Sequence, residues 1–153
     1  MKQKLGKLVA FTHRKIKKVT ILQPLTRAMT IFLVEDDTIY AEFVKKSLNS
    51  KSAYTINIFH TAEDGLKSLN TMLPDVLIID YKLPGMSGID LYEKVKSRLT
   101  DKNKVVMLSA LDDGNMVLNF IQRGVRDYVI KDENVIESLE AVINGNEDDY
   151  FSF

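Results

Sequence analysis

Short apolar runs alternate with longer amphipathic segments along the chain from Met29 onward. Apolar runs of about four to eight residues are typical of strands buried on both faces, whereas apolar residues three and four positions apart are typical of helices. The runs predict five strands, at residues 30–34, 54–59, 76–79, 104–108 and 126–130.

A segment with helical spacing of its apolar residues follows each predicted strand. These residues are Ile39, Tyr40, Phe43, Val44 and Leu48, then Leu66 and Leu69, then Leu91 and Val95, then Met116, Val117, Phe120 and Ile121, and finally Val135, Ile136, Leu139, Val142 and Ile143. Gly145 follows the last segment, where glycine commonly ends a helix. Five successive strand–helix units predict an α/β fold whose parallel sheet is covered on both faces.

Composition excludes several classes of protein. A chain of 153 residues suits one domain, and it contains no cysteine, so disulfides, thiolate metal sites and cysteine nucleophiles are excluded. No apolar stretch approaches the roughly 20 residues of a membrane span. We therefore expect a cytoplasmic protein without a membrane association.

Charge divides the chain into two unlike parts. Residues 1–28 hold eight basic and no acidic side chains, which leaves 13 basic and 21 acidic ones downstream. The acidic part argues against direct nucleic-acid binding. We interpret residues 1–28 as a disordered extension or a mis-assigned start; the alternative is a basic helix for a membrane surface or an acidic partner. The remaining boundaries are a domain at 29–145 and an acidic, aromatic tail at 146–153.

Polar residues with complementary chemistry follow four of the predicted strands. They are Glu35, Asp36 and Asp37 after the first strand, Asp80 after the third, Ser109 after the fourth and Lys131 after the fifth. In doubly wound sheets, ligands bind outside the carboxyl ends of the strands. Each residue alone has an ordinary structural explanation, such as helix capping by Asp37 or turn formation by Asp80. Together they predict one site.

The residue types at this site suit phosphoryl chemistry. Crowded carboxylates without histidine or cysteine favour a hard divalent ion such as Mg²⁺, which usually also binds phosphate oxygens. Lys131 and the Ser109 hydroxyl could contact phosphoryl oxygens, and the Asp80 carboxylate is a competent nucleophile toward phosphorus. We therefore predict that Asp80 accepts a phosphoryl group.

Four motifs in this order resemble those of response-regulator receiver domains, the phosphoacceptor modules of two-component signalling. They are FLVEDD at 32–37, LIIDYKLPGMSGIDL at 77–91, VVMLSA at 105–110 and DYVIKD at 127–132. Asp36 and Asp80 are 44 positions apart, Asp80 and Ser109 are 29 apart, and Ser109 and Lys131 are 22 apart, close to the intervals of the family. The resemblance covers residues from about 29 to 144.

The resemblance implies a flavodoxin-like, doubly wound sheet of five parallel strands in the order 2-1-3-4-5, with five helices. It makes Asp80 the phosphoacceptor, Ser109 the switch hydroxyl and Lys131 the phosphoryl-binding lysine. It also assigns the metal ligands: Asp36 directly, Glu35 through water, Asp80, and the backbone carbonyl of Lys82, whose side chain should point outward.

The resemblance also marks a conformational switch and one departure from the family pattern. Tyr128 matches the switch aromatic, which turns inward when Ser109 moves toward the phosphoryl group. Asp132 stands where many receivers have a proline, so the cis peptide bond common there is in doubt. His13 and His60 receive no assigned role.

We expect a regulator that is phosphorylated on Asp80 by a histidine kinase or phosphotransfer protein. Only GNEDDYFSF follows the last predicted helix, so we expect signalling by protein–protein contact through helix 4, strand 5 and helix 5, without an output domain. The protein would not be an enzyme beyond slow self-dephosphorylation. One alternative is a receiver-like binding module that signals without phosphate. Another is a metal-dependent phosphatase, disfavoured because Lys82 occupies the place of its usual second aspartate.

Overall fold

The computed structural model describes residues 27–110 and 114–145, so most of the predicted extension and the whole predicted tail lie outside the described residues. Strands and helices alternate as predicted. The strands are β1 (Thr30–Val34), β2 (Thr55–Phe59), β3 (Val76–Asp80), β4 (Lys104–Ser109) and β5 (Asp127–Ile130). The helices are α1 (Thr38–Lys51), α2 (Ala62–Leu69), α3 (Gly88–Val95), α4 (Gly114–Arg123) and α5 (Val135–Asn144), and a 3-10 turn (Lys96–Arg98) extends α3.

The five strands form one parallel sheet in the order β2-β1-β3-β4-β5, which confirms the predicted topology. Strand order reverses between β1 and β3, and all strands end at the same rim. Predicted bounds were wrong by one residue at β2 and β5, which begin later, and at β3 and β4, which end later. The later ends arise because Asp80 pairs with Leu108, and Ser109 with Ile130, at the end of the ladder. A pattern of apolar residues misses a polar residue that is paired in this way.

Helices cover both faces of the sheet and divide the core into two layers. Ile31 and Leu33 of β1 pack toward α1 and α5, whereas the alternate residues Phe32 and Val34 pack toward α2, α3 and α4. Alternation along a strand directs successive side chains to opposite faces, so every central strand needs apolar residues throughout. Each of these four side chains is at most 1% exposed, and burial of one such side chain stabilises the fold by about 1.5–3 kcal/mol.

Polar residues fix the ends of the helices. Asp37 caps α1 by accepting hydrogen bonds at Oδ1 from the backbone N–H groups of Ile39 and Tyr40, both at 2.9 Å. Gly145 ends α5 in a left-handed conformation, with φ 74°, as predicted. Ile39 is one of the apolar positions that predict α1, yet it is 83% exposed. Within the two described ranges, none of the helices has the length and apolar character that crossing a bilayer requires.

Residue 27 contacts the domain at the rim opposite the carboxyl ends of the strands. Arg27 Nη2 lies 2.6 Å from Asp75 Oδ1, and Asp75 Oδ2 accepts a hydrogen bond from the backbone N–H of Thr30 at 2.7 Å. Asp75 directly precedes β3. Arg27, in the predicted basic extension, is therefore bound to the rim at which the central strands begin.

Candidate functional site

The carboxyl ends of β1 and β3 bring three predicted acidic residues together. Glu35 and Asp36 follow β1, Asp80 ends the neighbouring β3, and one carboxylate oxygen from each lies within 4.8 Å of the others. Glu35 and Asp80 are buried, at 1% and 5% exposure, whereas Asp36 is exposed. The cluster therefore has a buried side and one carboxylate open to solvent.

Lys131 neutralises part of this negative charge from the end of β5. Its Nζ donates hydrogen bonds to Glu35 Oε2 and Asp80 Oδ2, each at 2.6 Å. The backbone N–H of Lys131 donates to the carbonyl of Ser109 at 2.8 Å, which continues the pairing of β5 with β4 beyond the strand. The main chain thus places the lysine stem, and two carboxylates hold its ammonium group.

Burial and charge displace the pKa values of this ion-pair network. Burial raises the pKa of Glu35 above its usual value, although the hydrogen bond from Lys131 opposes that effect. Burial by itself lowers the pKa of Lys131, but the hydrogen bonds to Asp80 and Glu35, together with their charges, outweigh burial, so the pKa is raised. Lys131 is therefore a cation throughout the neutral pH range.

The loop after Asp80 is tightly built around its backbone. Asp80 Oδ1 accepts a hydrogen bond from the backbone N–H of Lys82 at 3.0 Å, and the backbone N–H of Gly88 donates to the carbonyl of Tyr81 at 3.2 Å. Gly85 has φ 77°, a conformation that glycine adopts without strain. Lys82 is exposed, which agrees with the prediction that its side chain points outward.

Ser109 lies beside a small cavity next to Asp80. The cavity has a volume of about 70 Å³, and its walls are formed by Asp80, Tyr81, Lys82, Ser109, Ala110, Met116 and Lys131. Ser109 is 3% exposed, and its hydroxyl lies 3.5 Å from Met116 Sδ. This contact joins the Ser109 hydroxyl to α4, although a thioether is a weak hydrogen-bond acceptor.

Tyr128 lies on β5, beside Met107 of β4 in the sheet register. The side chain is partly buried and packs against the core layer under α2, α3 and α4. The structure thus brings Glu35, Asp36, Asp80, Ser109 and Lys131 to one place and puts Tyr128 on the strand that leads to Lys131.

Sequence reasoning missed several neighbours of the site. Lys131 Nζ lies 4.6 Å from the ring centroid of Tyr40, and His60 Nδ1 donates to the backbone carbonyl of Glu35 at 2.9 Å. Asp132 Oδ1 accepts from the backbone N–H of Asn134 at 2.9 Å, and no cis peptide bond occurs in the described ranges. Aspartate commonly forms turns, so the role of Asp132 could have been inferred. Nothing in the local sequence indicates the other two contacts.

The donor set fits a hard divalent cation. Three carboxylates converge without a histidine or cysteine ligand among them, and such all-oxygen sites suit Mg²⁺ or Ca²⁺ rather than zinc. Lys131 balances only part of the charge of the three acids. The exposed position of Asp36 leaves the cluster accessible to a hydrated ion.

Comparisons with known proteins agree with this architecture. The chemotaxis protein CheY of Listeria monocytogenes is 27% identical over 118 residues, which cover 73% of this chain and 97% of that protein. The transcriptional regulatory protein AfsQ1 of Streptomyces coelicolor is 30% identical over 102 residues, which cover 67% of this chain and 44% of that protein. The chain spans about half the length of several curated relatives, including other transcriptional regulators.

A solved structure and a family model complete the assignment. The CheY-like response regulator receiver domain protein of Methanospirillum hungatei superimposes with a TM-score of 0.66 at 25% identity, over 80% of this chain and 98% of that one. The family model for the response regulator receiver domain matches residues 31–143, a range that contains the acidic cluster, Ser109 and Lys131. This chain belongs to the response regulator receiver domain family of two-component systems.

Proposed function

We propose that Asp80 is the phosphoacceptor of this receiver domain. A histidine kinase or phosphotransfer protein, the partners with which receiver domains interact, would supply the phosphoryl group. The observation that carries the proposal is the position of the Asp80 carboxylate: it ends a central strand, lies within 4.8 Å of the Glu35 and Asp36 carboxylates, and contacts Lys131 Nζ at 2.6 Å.

The proposed reaction is an in-line transfer. A carboxylate oxygen of Asp80 attacks phosphorus and forms an O–P bond, while the N–P bond of a phosphohistidine breaks and its electron pair stays on the imidazole nitrogen. The product is an acyl phosphate on Asp80. Lys131 Nζ then moves its hydrogen bond from the carboxylate to a phosphoryl oxygen, and the Ser109 hydroxyl donates to another.

Receiver domains bind Mg²⁺ at an acidic pocket, and the acidic cluster of this chain fits that ion. The residues that would hold it are Glu35, Asp36, Asp80 and the backbone carbonyl of Lys82. When bound, Mg²⁺ neutralises negative charge on the phosphoryl oxygens during transfer. Without a cation, the charge of Glu35 and Asp36 would repel an approaching phosphodonor.

The proposed output is a protein–protein contact through the surface formed by α4, β5 and α5. Movement of Ser109 toward the phosphoryl group would end its contact with Met116 on α4 and open space for the ring of Tyr128. Leu118 and Ile121 of α4 are 52% and 59% exposed, which provides apolar area for a partner. Phosphorylation would thus change the same surface that a partner contacts.

We further propose that hydrolysis of the acyl phosphate is the protein's own slow reaction.

The test is intact mass after incubation with a small-molecule phosphodonor such as phosphoramidate, with and without Mg²⁺. We expect wild-type protein to gain one phosphoryl group only with Mg²⁺, and Asp80→Asn to gain none. Asp101→Asn is the matched control, since Asp101 is an exposed aspartate remote from the cluster, and it should behave as wild type.

Two results would contradict the proposal. If folded wild-type protein gains no mass, Asp80 is not a phosphoacceptor. If Asp80→Asn gains a phosphoryl group, another residue accepts it. If the wild type gains no phosphoryl group and Asp80→Asn binds a partner unchanged, the domain is a phosphorylation-independent binding module.

A further inference from the structure

Tyr40 is an aromatic residue whose ring centroid lies 4.6 Å from Lys131 Nζ, beside the proposed phosphorylation site. It lies in the first turn of α1, where its backbone N–H is held by the capping carboxylate of Asp37 at 2.9 Å. Its side chain packs against the core layer under α1 and α5, and its ring contacts that of Phe43 with centroids 6.0 Å apart. Contacts on several sides therefore restrict the orientation of the ring.

The ring forms one side of the environment of the Lys131 ammonium group. An ammonium group has three N–H donors, and two of them are used on Glu35 Oε2 and Asp80 Oδ2 at 2.6 Å. Nζ also lies 4.6 Å from the centroid of the Tyr40 ring. A cation within about 6 Å of an aromatic face is attracted by the negative charge above the ring, more strongly where water is excluded.

We propose that Tyr40 is a positioning residue for Lys131 in the phosphorylation of Asp80, and that its ring face is the part that acts. This inference rests on the proposed phosphoacceptor function. During transfer, Lys131 must exchange the carboxylate of Asp80 for a phosphoryl oxygen, whereas the ring of Tyr40 is unchanged by the reaction. The ring thus keeps the flexible lysine in place while its other partner changes.

The hydroxyl of Tyr40 has no part in this role. It is buried and has no hydrogen-bond partner among the described residues. Burial raises the pKa of Tyr40, and the nearby charges of Glu35, Asp80 and Asp132 raise it further, so the phenol stays neutral. Phenylalanine would therefore preserve the ring and remove only an unpaired hydroxyl.

The experiment measures the rate of phosphorylation by phosphoramidate at fixed Mg²⁺. We expect Tyr40→Leu to lower the rate constant about threefold to tenfold, and Tyr40→Phe to restore it to within about twofold of wild type. Tyr54→Leu is the matched control, because Tyr54 packs against the same core layer but directly precedes β2, and it should keep the wild-type rate.

A double-mutant cycle separates positioning from a general structural effect. In a Lys131→Ala background, Tyr40→Leu should change the rate by less than about twofold, because the residue through which it acts is gone. An equal loss in both backgrounds, a wild-type rate for Tyr40→Leu, or a loss in Tyr40→Phe as large as that in Tyr40→Leu would each overturn the inference.

Two further measurements separate failure of the inference about Tyr40 from failure of the proposed function. A wild-type protein that gains no phosphoryl group, or an Asp80→Asn protein that gains one, overturns the proposed function and the inference with it; normal phosphorylation of Tyr40→Leu overturns the inference alone. If Tyr40→Leu does not fold, the ε-methylene protons of Lys131 decide. Shielding by the ring should move their NMR signals upfield of those of other lysines in wild type and Tyr40→Phe, and ordinary shifts would overturn the contact.

Discussion

Gly88 stands so close to Asp80 that a side chain of any size on Gly88 would collide with the backbone carbonyl of Asp80. An added Cβ would also lie 2.9 Å from Ile79 Cγ2. Most of the crowding comes from backbone and not from the flexible end of a side chain. Relief would therefore require movement of the strand end that carries the proposed phosphoacceptor.

Gly88→Ala should lower the free energy of unfolding by about 2–3 kcal/mol, since forced overpacking has a cost of this size. Urea denaturation would measure it. Gly114→Ala is the matched control: both glycines begin helices, but an added Cβ at Gly114 has no atom of the described residues within 4 Å. That variant should be as stable as wild type or slightly more stable. Equal stability of the two variants would contradict the crowding argument.

Mg²⁺ should stabilise the domain through the acidic cluster. Binding to the folded state adds RT ln(1 + [L]/Kd), about 2.7 kcal/mol at a concentration 100 times Kd, and Tm should rise accordingly. Asp36→Asn should lose most of this rise because it removes an accessible carboxylate from the cluster. Thermal denaturation with MgCl₂, compared with NaCl at the same ionic strength, would measure the effect.

Asp37→Asn provides the control for the magnesium experiment. Asp37 is also exposed and acidic, but it caps α1 and is not part of the cluster. Asparagine caps helices about as well as aspartate, so this variant should keep the Mg²⁺-dependent rise in Tm. A rise that is equal in both variants would show that the ion binds elsewhere or without specificity.

Lys131→Met should destabilise the domain without Mg²⁺ by about 1–3 kcal/mol near pH 7, because two buried carboxylates lose their cation. The pKa of Lys131 is raised in the folded state above its ordinary value of 10.5. Its contribution to stability is therefore fully present below pH 10.5 and is lost as pH rises through the folded-state pKa.

Urea denaturation of wild type and Lys131→Met between pH 7 and high pH would test this pH dependence. The difference in stability should stay constant up to about pH 10 and shrink above it. Lys67→Met, at an exposed site on α2, should differ from wild type by no more than about 0.5 kcal/mol. A difference for Lys131→Met that falls already near neutral pH would show that the ion pair is not what the lysine contributes.

Asp132→Ala should loosen the loop between β5 and α5. The carboxylate of Asp132 accepts the hydrogen bond from the backbone of Asn134, and its loss should cost about 1 kcal/mol, as loss of a helix cap does. Phosphorylation of Asp80 should also slow, because Lys131 directly precedes this loop. Asp132→Asn retains the acceptor oxygen and should retain both properties. Equal effects of alanine and asparagine would assign the role to charge instead.

Much of the fold was predictable because burial dictates a repeated pattern. The central strands must be apolar on both sides, as β1 and β3 are, so the runs at 30–34 and 76–79 identified them. Their topology followed from the family resemblance. The ends of β3 and β4 were not predictable, because the pairing of Asp80 and Ser109 depends on the register of neighbouring strands.

The positions of the site residues that directly follow or end a strand were predictable from the sequence. Parallel strands end at the same rim, so Glu35, Asp80 and Lys131 had to meet there. The contact between Tyr40 and Lys131 joins residues far apart in the chain and depends on the direction of two side chains. Helical spacing marks Tyr40 only as a partly apolar position, and no local pattern distinguishes a core ring from one that faces an ammonium group.

The single direction of the five strands also has a practical use. Ala28 is exposed and lies just before β1, at the end of the sheet away from Asp80, and the chain has no cysteine of its own. A cysteine introduced at Ala28 is therefore the one thiol available for a fluorophore or a surface linkage. Five residues of strand separate it from the acidic rim, a distance of about 17 Å. Protein immobilised by this handle leaves the acidic rim open to solvent, so histidine kinases and phosphotransfer proteins can be ranked by binding without the attachment covering Asp80.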